Sequence, residues 1–203
     1  MRQNERFLCT KCLYHLPKND YQRDNEIEQR FWGRVKIELV ASLLRFHKGS
    51  SAQKLLHHLK YKGYKEIGDT LGEQLGTALV SSAEFSTIDV IVPVPLHPKR
   101  LKKRGYNQSE LIANGLARKL NKPIDTKTLI RIKENATQTN KGRFDRWENV
   151  SDIFALTDTN TLANKHVLLV DDVLTTGATI EACVKNILLS ENAKVSVATL
   201  AAA

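Results

Sequence analysis

The stretch from 167 to 179, Val-Leu-Leu-Val-Asp-Asp-Val-Leu-Thr-Thr-Gly-Ala-Thr, constrains the fold more than any other part of the chain. Its first four residues are apolar, as in a strand that is buried on both faces of a parallel sheet. Asp171 and Asp172 follow where such a strand leaves the core, and a threonine-rich turn then opens a helix. Because ligands of open α/β sheets bind beyond the carboxyl ends of the strands, we expect a binding site at this turn.

The chemistry of the turn favours a phosphate group next to a sugar. Small hydroxyl side chains, a glycine that lets backbone N–H groups approach closely and a helix N-terminus all suit an anion. The adjacent carboxylates suit the hydroxyl groups of a sugar. The Gly-Lys-Ser/Thr ending of a nucleoside triphosphate loop is absent from this stretch, so the predicted ligand is a sugar phosphate.

Strand-like and helix-like segments alternate along the chain, which predicts an α/β fold with a parallel sheet flanked by helices. Apolar runs predict strands at 88–94, 129–132, 152–156, 166–170 and 195–200. Helical spacing of apolar residues predicts helices at 26–46, 52–59, 64–82 and 108–120, with a final helix after the phosphate turn. In that final helix, Cys183 lies on the apolar face and is expected to pack in the core.

Composition limits the remaining possibilities. A chain of 203 residues supports one substantial domain and a small appendage. It has no apolar run of membrane-spanning length, its first residues lack the apolar core of a signal peptide, and three cysteines are too few for a disulfide framework. We therefore expect a cytoplasmic protein with no membrane span.

The formal net charge of +9 is unevenly placed, because basic residues far outnumber acidic ones between 97 and 149. Such a surplus suits a polyphosphate ligand or a nucleic-acid backbone, and a solvated surface accounts for it equally well. The segment 132–150 has no clear periodicity. A segment of this length predicts either a lid over the site or simple disorder.

Residues 167–179 closely resemble the ribose-phosphate signature of the type I phosphoribosyltransferases. The resemblance implies that Asp171 and Asp172 contact the 2′- and 3′-hydroxyls of phosphoribosyl pyrophosphate (PRPP). It also implies that the 5′-phosphate of PRPP is bound by the five residues of the turn, Thr175, Thr176, Gly177, Ala178 and Thr179.

Further segments extend the resemblance along the chain. A proline-rich strand end covers 93–98, an Arg-Gly-Tyr-Asn-Gln element covers 104–108, and a Leu-Lys-Tyr-Lys-Gly stretch covers 59–63. The basic loop adds four polar residues, Gln138, Arg143, Arg146 and Asn149. In this order the segments resemble the ComF family of phosphoribosyltransferase-like proteins, which is associated with bacterial DNA uptake.

The resemblance implies a type I phosphoribosyltransferase fold with a small N-terminal cap or hood. Residues 1–25 would be the remnant of a zinc-ribbon-like segment, and 26–203 the phosphoribosyltransferase-like domain, with a helical hood over 26–83. Two further groups of site residues follow from it. A pyrophosphate loop would include Pro95, Leu96, Arg100 and Arg104, and a flexible loop that closes over the substrates would include Gln138, Arg143 and Arg146.

Cys9 and Cys12 have the spacing of zinc ligands, and ComF-like proteins often carry two such pairs. This sequence has one pair, whereas a tetrahedral structural zinc needs four ligands. His15 offers a possible third ligand. Cys9 and Cys12 are therefore a possible zinc half-site, and either the upstream pair is missing from this sequence or the ribbon has decayed.

The implied activity is that of a glycosyltransferase. It would transfer phosphoribosyl from PRPP to a nitrogen nucleophile with loss of pyrophosphate, with Mg²⁺ held mainly by substrate oxygens and water. No residue identifies itself as a general base. The alternative is a non-catalytic, nucleotide-sensing accessory protein that binds single-stranded DNA or the competence machinery during DNA uptake. The accepting base or amine is not encoded in any motif of the sequence.

Overall fold

The computed structural model describes residues 14–19, 26–133 and 153–203. Its strands are β1 (Val40–Arg45), β2 (Val90–Pro93), β3 (Leu129–Arg131), β4 (Phe154–Leu156), β5 (His166–Leu174) and β6 (Lys194–Ala202). Its α-helices are α1 (Glu26–Gln29), α2 (Ser51–Tyr61), α3 (Glu66–Val80), α4 (Pro98–Arg104), α5 (Gln108–Leu120) and α6 (Ala178–Ile187).

The main sheet has the strand order β1-β6-β5-β2, and every pair in it is parallel. The predicted α/β class is therefore confirmed. Alternate residues of β5 face opposite sides of the sheet, so that Leu168 and Val170 pack with α3 and α5, whereas Val167 and Leu169 pack with α6. All four side chains are fully buried, as expected for a central parallel strand covered on both faces.

Helices α3 and α5 approach so closely that their backbones touch. A Cβ atom on Gly72 would lie 2.3 Å from the carbonyl oxygen of Ile112, and one on Gly115 would lie 2.3 Å from that of Asp69. The guanidinium of Arg118 on α5 adds ion pairs to Asp69 at 2.6 Å and Glu73 at 3.0 Å on α3. This contact fixes the position of α5, whose first residues reach the acid pair.

The helix predicted for 26–46 is wrong over most of its length. Only Glu26–Gln29 is α-helical, and Val40–Arg45 forms the edge strand β1, which pairs with β6. The first five residues of β1 are all buried. A short, continuous apolar run of this kind cannot be assigned to helix or strand by periodicity, and pairing with β6 decides the matter. The 26–83 region thus supplies a strand of the main sheet as well as helices.

Strands β3 and β4 were expected in the parallel sheet but form a separate antiparallel pair. The basic segment between them, 134–152, lies outside the described residues. Helix α4 was not predicted, although its start carries a local signal. Pro98 occupies the first turn, and His97 Nδ1 accepts the Lys99 N–H. His97 is placed here as the N-terminal cap of the helix.

Within the described residues, no helix combines the length and apolar character needed to cross a bilayer. Cys183 is fully buried on α6, which confirms its predicted place in the core. The domain boundary predicted between 25 and 26 stays a prediction, because residues 1–13 and 20–25 lie outside the description.

Candidate functional site

The acid pair lies at the carboxyl edge of the main sheet. Asp171 and Asp172 are residues of β5 itself, which continues to Leu174, rather than residues that follow the strand. Strand β2 ends earlier, with Pro93 opposite Val170. The two acids therefore extend past the last residue of β2 and border a crevice of the kind in which open α/β sheets bind ligands.

Each carboxylate is held by the protein through one oxygen. The Oδ2 atom of Asp172, which is buried, accepts a hydrogen bond from Gln108 Nε2 at 3.1 Å and lies 2.9 Å from the ammonium of Lys60. The Oδ1 atom of Asp171 accepts hydrogen bonds from Ser109 Oγ at 3.0 Å and from the Asp172 backbone N–H at 2.8 Å. Both side chains are thus oriented by α5, and their second oxygens have no hydrogen-bond partner among the residues that the structure describes.

The electrostatics of the pair are unusual. Burial, followed by the neighbouring charge of Asp172, raises the pKa of Asp171 to about 7. Hydrogen bonds from Asp172 N–H and Ser109 and the charge of Lys60 oppose this rise. Two adjacent carboxylates cannot both ionise at low cost, so Asp171 titrates near neutral pH.

The Arg-Gly-Tyr-Asn-Gln element joins three parts of the fold at this edge. Asn107 accepts the Ser109 N–H at 3.1 Å to cap α5, and it donates to the Val94 carbonyl at 3.0 Å just beyond β2. The Tyr106 hydroxyl donates to the Leu59 carbonyl near the end of α2. These contacts bring Lys60 and Gln108 together on Asp172, a convergence that no local sequence signal could have shown.

The predicted phosphate turn connects β5 to α6. Thr175, Thr176 and Thr179 are exposed, and Gly177 precedes α6 with φ of +82°. L-side chains rarely adopt that conformation, and a Cβ atom at this position would also lie 2.9 Å from the ring of Phe31. Gly177 is therefore required both by the backbone angle and by the close approach of the aromatic ring.

Two arginines that the sequence analysis missed contact the outer side of this turn. Arg30 Nη1 donates to the Thr175 carbonyl at 3.1 Å, and Arg34 Nη1 donates to the Thr176 carbonyl at 3.4 Å. Arg34 also forms an ion pair with Glu181 on α6. The arginines hold two carbonyl groups of the turn and add positive charge beside it. The four-residue spacing of the two arginines is typical of a solvated helix face. The sequence therefore did not indicate that they contact the turn.

The other predicted site residues are placed unequally. Pro95 and Leu96 follow β2 at the same edge as the acid pair and are half-buried, whereas Arg100 is exposed on α4. Arg104 is half-buried, with its guanidinium 5.7 Å from the centre of the Tyr61 ring. The remaining predicted residues, Gln138, Arg143, Arg146, Cys9 and Cys12, lie outside the described residues.

A cavity of about 400 Å³ lies at the opposite, amino edge of the sheet. Its lining combines acids and lysines, among them Glu38, Asp89 and Lys194, around the start of β5 at His166. Both ring nitrogens of His166 are hydrogen-bonded, Nδ1 with Thr87 Oγ1 at 2.9 Å and Nε2 with Ser196 Oγ at 2.8 Å. This cavity shares no residue with the acid pair.

Comparison with known proteins agrees with this geometry. A model of the phosphoribosyl transferase domain matches residues 107–203, which include α5, the acid pair and the phosphate turn. Competence protein F of Haemophilus influenzae is 33% identical over 130 residues, which are 62% of this chain and 57% of that protein. Competence protein ComFC of Bacillus subtilis is 35% identical over 130 residues, which are 62% and 48% of the two chains. Over the regions that they cover, these matches show that the chain is similar to competence proteins of the ComF type and contains a phosphoribosyl transferase domain.

The chain spans about half the length of the curated relatives it matches. Among solved structures, the glutamine PRPP amidotransferase of B. subtilis, complexed with ADP and GMP, superposes with a TM-score of 0.45 at 19% identity. That superposition covers 66% of this chain and 26% of the amidotransferase. The domain match and the parallel sheet flanked by helices establish a phosphoribosyltransferase-type α/β fold.

Proposed function

We propose that this protein binds PRPP or a ribose 5′-phosphate nucleotide, and that it transfers phosphoribosyl to a nitrogen nucleophile with loss of pyrophosphate. The observation that carries the proposal is the acid pair on β5, which is followed directly by the Gly177 turn and the start of α6. One end of this arrangement offers carboxylate oxygens for sugar hydroxyls. The other offers backbone N–H groups and a helix N-terminus for a phosphate.

The chain's own residues would act by positioning and by charge. Asp171 and Asp172 would accept the ribose hydroxyls through the oxygens that α5 does not hold. In the reaction the bond from C1 to the pyrophosphate oxygen breaks, and a nitrogen lone pair forms the new bond to C1. The positive charge that develops on the ribosyl group is stabilised by the acid pair, and basic residues offset the charge of the leaving group.

The residues present could supply only a minor part of the ligands of Mg²⁺. The carboxylates of the acid pair are hard oxygen donors of the kind that Mg²⁺ prefers, but the Lys60 ammonium already lies 2.9 Å from Asp172 Oδ2. The described residues also hold no cluster of three His, Cys, Asp or Glu side chains that could bind a metal. Mg²⁺ would therefore be held mainly by the diphosphate of the ligand, whose charge it would neutralise.

Calorimetry with a graded set of ligands tests this proposal. PRPP with Mg²⁺ and AMP are expected to bind, whereas adenosine, which lacks the phosphate, and 2′-deoxy-AMP, which lacks one hydroxyl, should bind at least tenfold more weakly. Asp171→Asn with Asp172→Asn should weaken PRPP and AMP at least tenfold, because hydrogen bonds to a charged acceptor contribute about 1.5–3 kcal/mol.

Glu191→Gln, an exposed acid far along the chain, is the control for loss of one negative charge. Equal affinity of the double variant and the unaltered chain would refute the assignment of the acid pair. Release of pyrophosphate from PRPP in the presence of a base or amine then separates turnover from binding alone.

A second candidate function is binding of single-stranded DNA as a non-catalytic accessory protein in DNA uptake. Its specific support is α4, on which four basic side chains are exposed, Lys99, Arg100, Lys102 and Lys103. Binding through this face would weaken steeply as salt rises, because each neutralised phosphate releases counterions. Reversal of Lys99, Lys102 and Lys103 to Glu should abolish it and leave AMP binding unchanged. Arg104, which stacks on Tyr61, is excluded from that set because it belongs to the packing of α2.

A further inference from the structure

The ion pair between Lys60 and Asp172 is poorly placed to serve stability alone. The Lys60 side chain is 26% exposed and that of Asp172 is 8% exposed, so both groups give up most of their hydration. The attraction within such a pair often fails to exceed the cost of desolvation. A largely buried lysine at the centre of a candidate site therefore invites a functional explanation.

The protein holds Lys60 in this place through the end of α2. The Leu59 carbonyl accepts the Tyr106 hydroxyl, and the Tyr61 ring packs against the Arg104 guanidinium at 5.7 Å. Both partners belong to the element that also delivers Gln108 to the same oxygen of Asp172. The backbone at Lys60 is thus anchored through both of its neighbours, which holds the side chain within reach of the acid pair.

Two adjacent carboxylates need a nearby positive charge if both are to be ionised and accept hydroxyl groups. A bound divalent cation or a lysine can supply that charge. We infer that Lys60 is the built-in counter-ion of the acid pair, and that it makes binding of the ribose 5′-phosphate part of a ligand independent of divalent cations. This inference rests on the proposed function. It limits the need for Mg²⁺ to the diphosphate of PRPP.

The groups that face Asp171 agree with this assignment. They are Asp172 on β5, Lys60 on α2, Ser109 on α5 and the Cys183 thiol on α6. Burial raises the pKa of Cys183 well above its usual value, and Arg131 on β3 opposes that rise. Cys183 therefore stays neutral. The positive charge that opposes the rise in the pKa of Asp171 comes from Lys60.

Calorimetry with AMP and with ribose 5-phosphate, each in EDTA and in Mg²⁺, tests the inference. The unaltered chain should bind both ligands with affinities that differ less than twofold between the two conditions. Lys60→Met should weaken binding at least tenfold in EDTA and regain most of it in Mg²⁺. Lys60→Arg should bind like the unaltered chain. Lys62→Met, which removes a neighbouring exposed lysine, is the matched control and should also bind normally.

A second measurement on the ligand-free protein detects a change that a purely structural role would not produce. Carboxyl ¹³C NMR should show Asp171 titrating near pH 7 in the unaltered chain and in Lys62→Met, and at higher pH in Lys60→Met. Binding by Lys60→Met that equals the unaltered chain, or a loss that Mg²⁺ does not restore, would overturn this inference alone. Failure of the unaltered chain to bind either ligand would overturn the proposed function along with it.

Discussion

The polar groups at the two edges of the main sheet differ in how completely they are hydrogen-bonded. At the amino edge, His166 donates or accepts through both ring nitrogens, and its backbone N–H donates to Asp89 at 2.8 Å. At the carboxyl edge, two acids stand side by side, and the Oε1 atom of Gln108 is buried with no hydrogen-bond partner among the described residues. The polar groups of His166 are thus satisfied by the protein itself, whereas the acid pair and Gln108 keep oxygens without a partner among the described residues. Such oxygens are typical of binding sites.

The same difference appears in the dependence of stability on pH. Burial, together with Asp172, raises the pKa of Asp171, so the folded state favours its neutral form and loses stability as pH rises through about 7. Burial lowers the pKa of His166, with Glu38 and Asp89 opposing and Lys194 adding to the shift. The folded state thus favours neutral imidazole and loses stability as pH falls below the ordinary value of about 6.5. The carboxyl edge therefore lowers the stability of the folded state at high pH, and the amino edge lowers it at low pH.

Asp171→Asn should give the largest effect and should stabilise the protein. The amide keeps the shape and removes the charge, so the free energy of unfolding at pH 8 should rise by up to about 4 kcal/mol, the equivalent of a shift of about three pKa units. At pH 5 the gain should be much smaller, because Asp171 is then neutral in the folded chain. Urea unfolding at the two pH values measures this difference. A destabilised variant at pH 8 would show that repulsion between Asp171 and Asp172 does not reduce the stability of the folded chain.

His166→Ala should act in the opposite direction at the amino edge. Loss of the ring leaves the hydroxyls of Thr87 and fully buried Ser196 without their partner, which should lower the free energy of unfolding by roughly 2–3 kcal/mol at pH 8. It should also weaken the loss of stability between pH 7 and 5. Affinity for AMP should not change. A loss of AMP affinity would show that the two edges are coupled.

Gly177→Ala should have the smallest effect on stability and a specific effect on ligand binding. The residue adopts a positive φ, and its Cβ would meet the Phe31 ring at 2.9 Å, so a cost of about 1–2 kcal/mol is expected. AMP should bind at least tenfold more weakly, and adenosine should be unaffected. Gly105→Ala, a position with φ of +80° but open space around it, is the control. An equal loss of AMP affinity in both variants would contradict the assignment of the Gly177 turn as the phosphate site.

Local signals account for the parts of the fold that were predicted well. Helix α5 begins and ends where the sequence indicates, because Asn107 caps it and its apolar spacing is regular. Strand β5 was recognised from its apolar run but proved longer, since Asp171 and Asp172 continue the pairing with β6. Strand β1 was taken for helix because a short apolar run carries no period.

The candidate site divides in the same way. The acid pair and its turn are contiguous in sequence, and their placement at one edge of the sheet could be predicted. Lys60, Arg30 and Arg34 reach that edge from distant parts of the chain. Lys60 lies in the 59–63 stretch that resembles the ComF family, but nothing in that stretch indicates its contact with Asp172. Arg30 and Arg34 have the pattern of surface residues, because their partners are set by tertiary packing. Roles of this kind follow from the structure alone.

The backbone contact between α3 and α5 determines which parts of the site can adjust to a ligand. Because Gly72 and Gly115 leave no side chain between the helices, there is no compressible layer through which α5 could slide or tilt. Gln108 and Ser109 therefore act as fixed reference points for the acid pair. Among the described residues, adjustment to ligands of different size is therefore expected in the turn, and engineered changes in ligand preference would be sought there first.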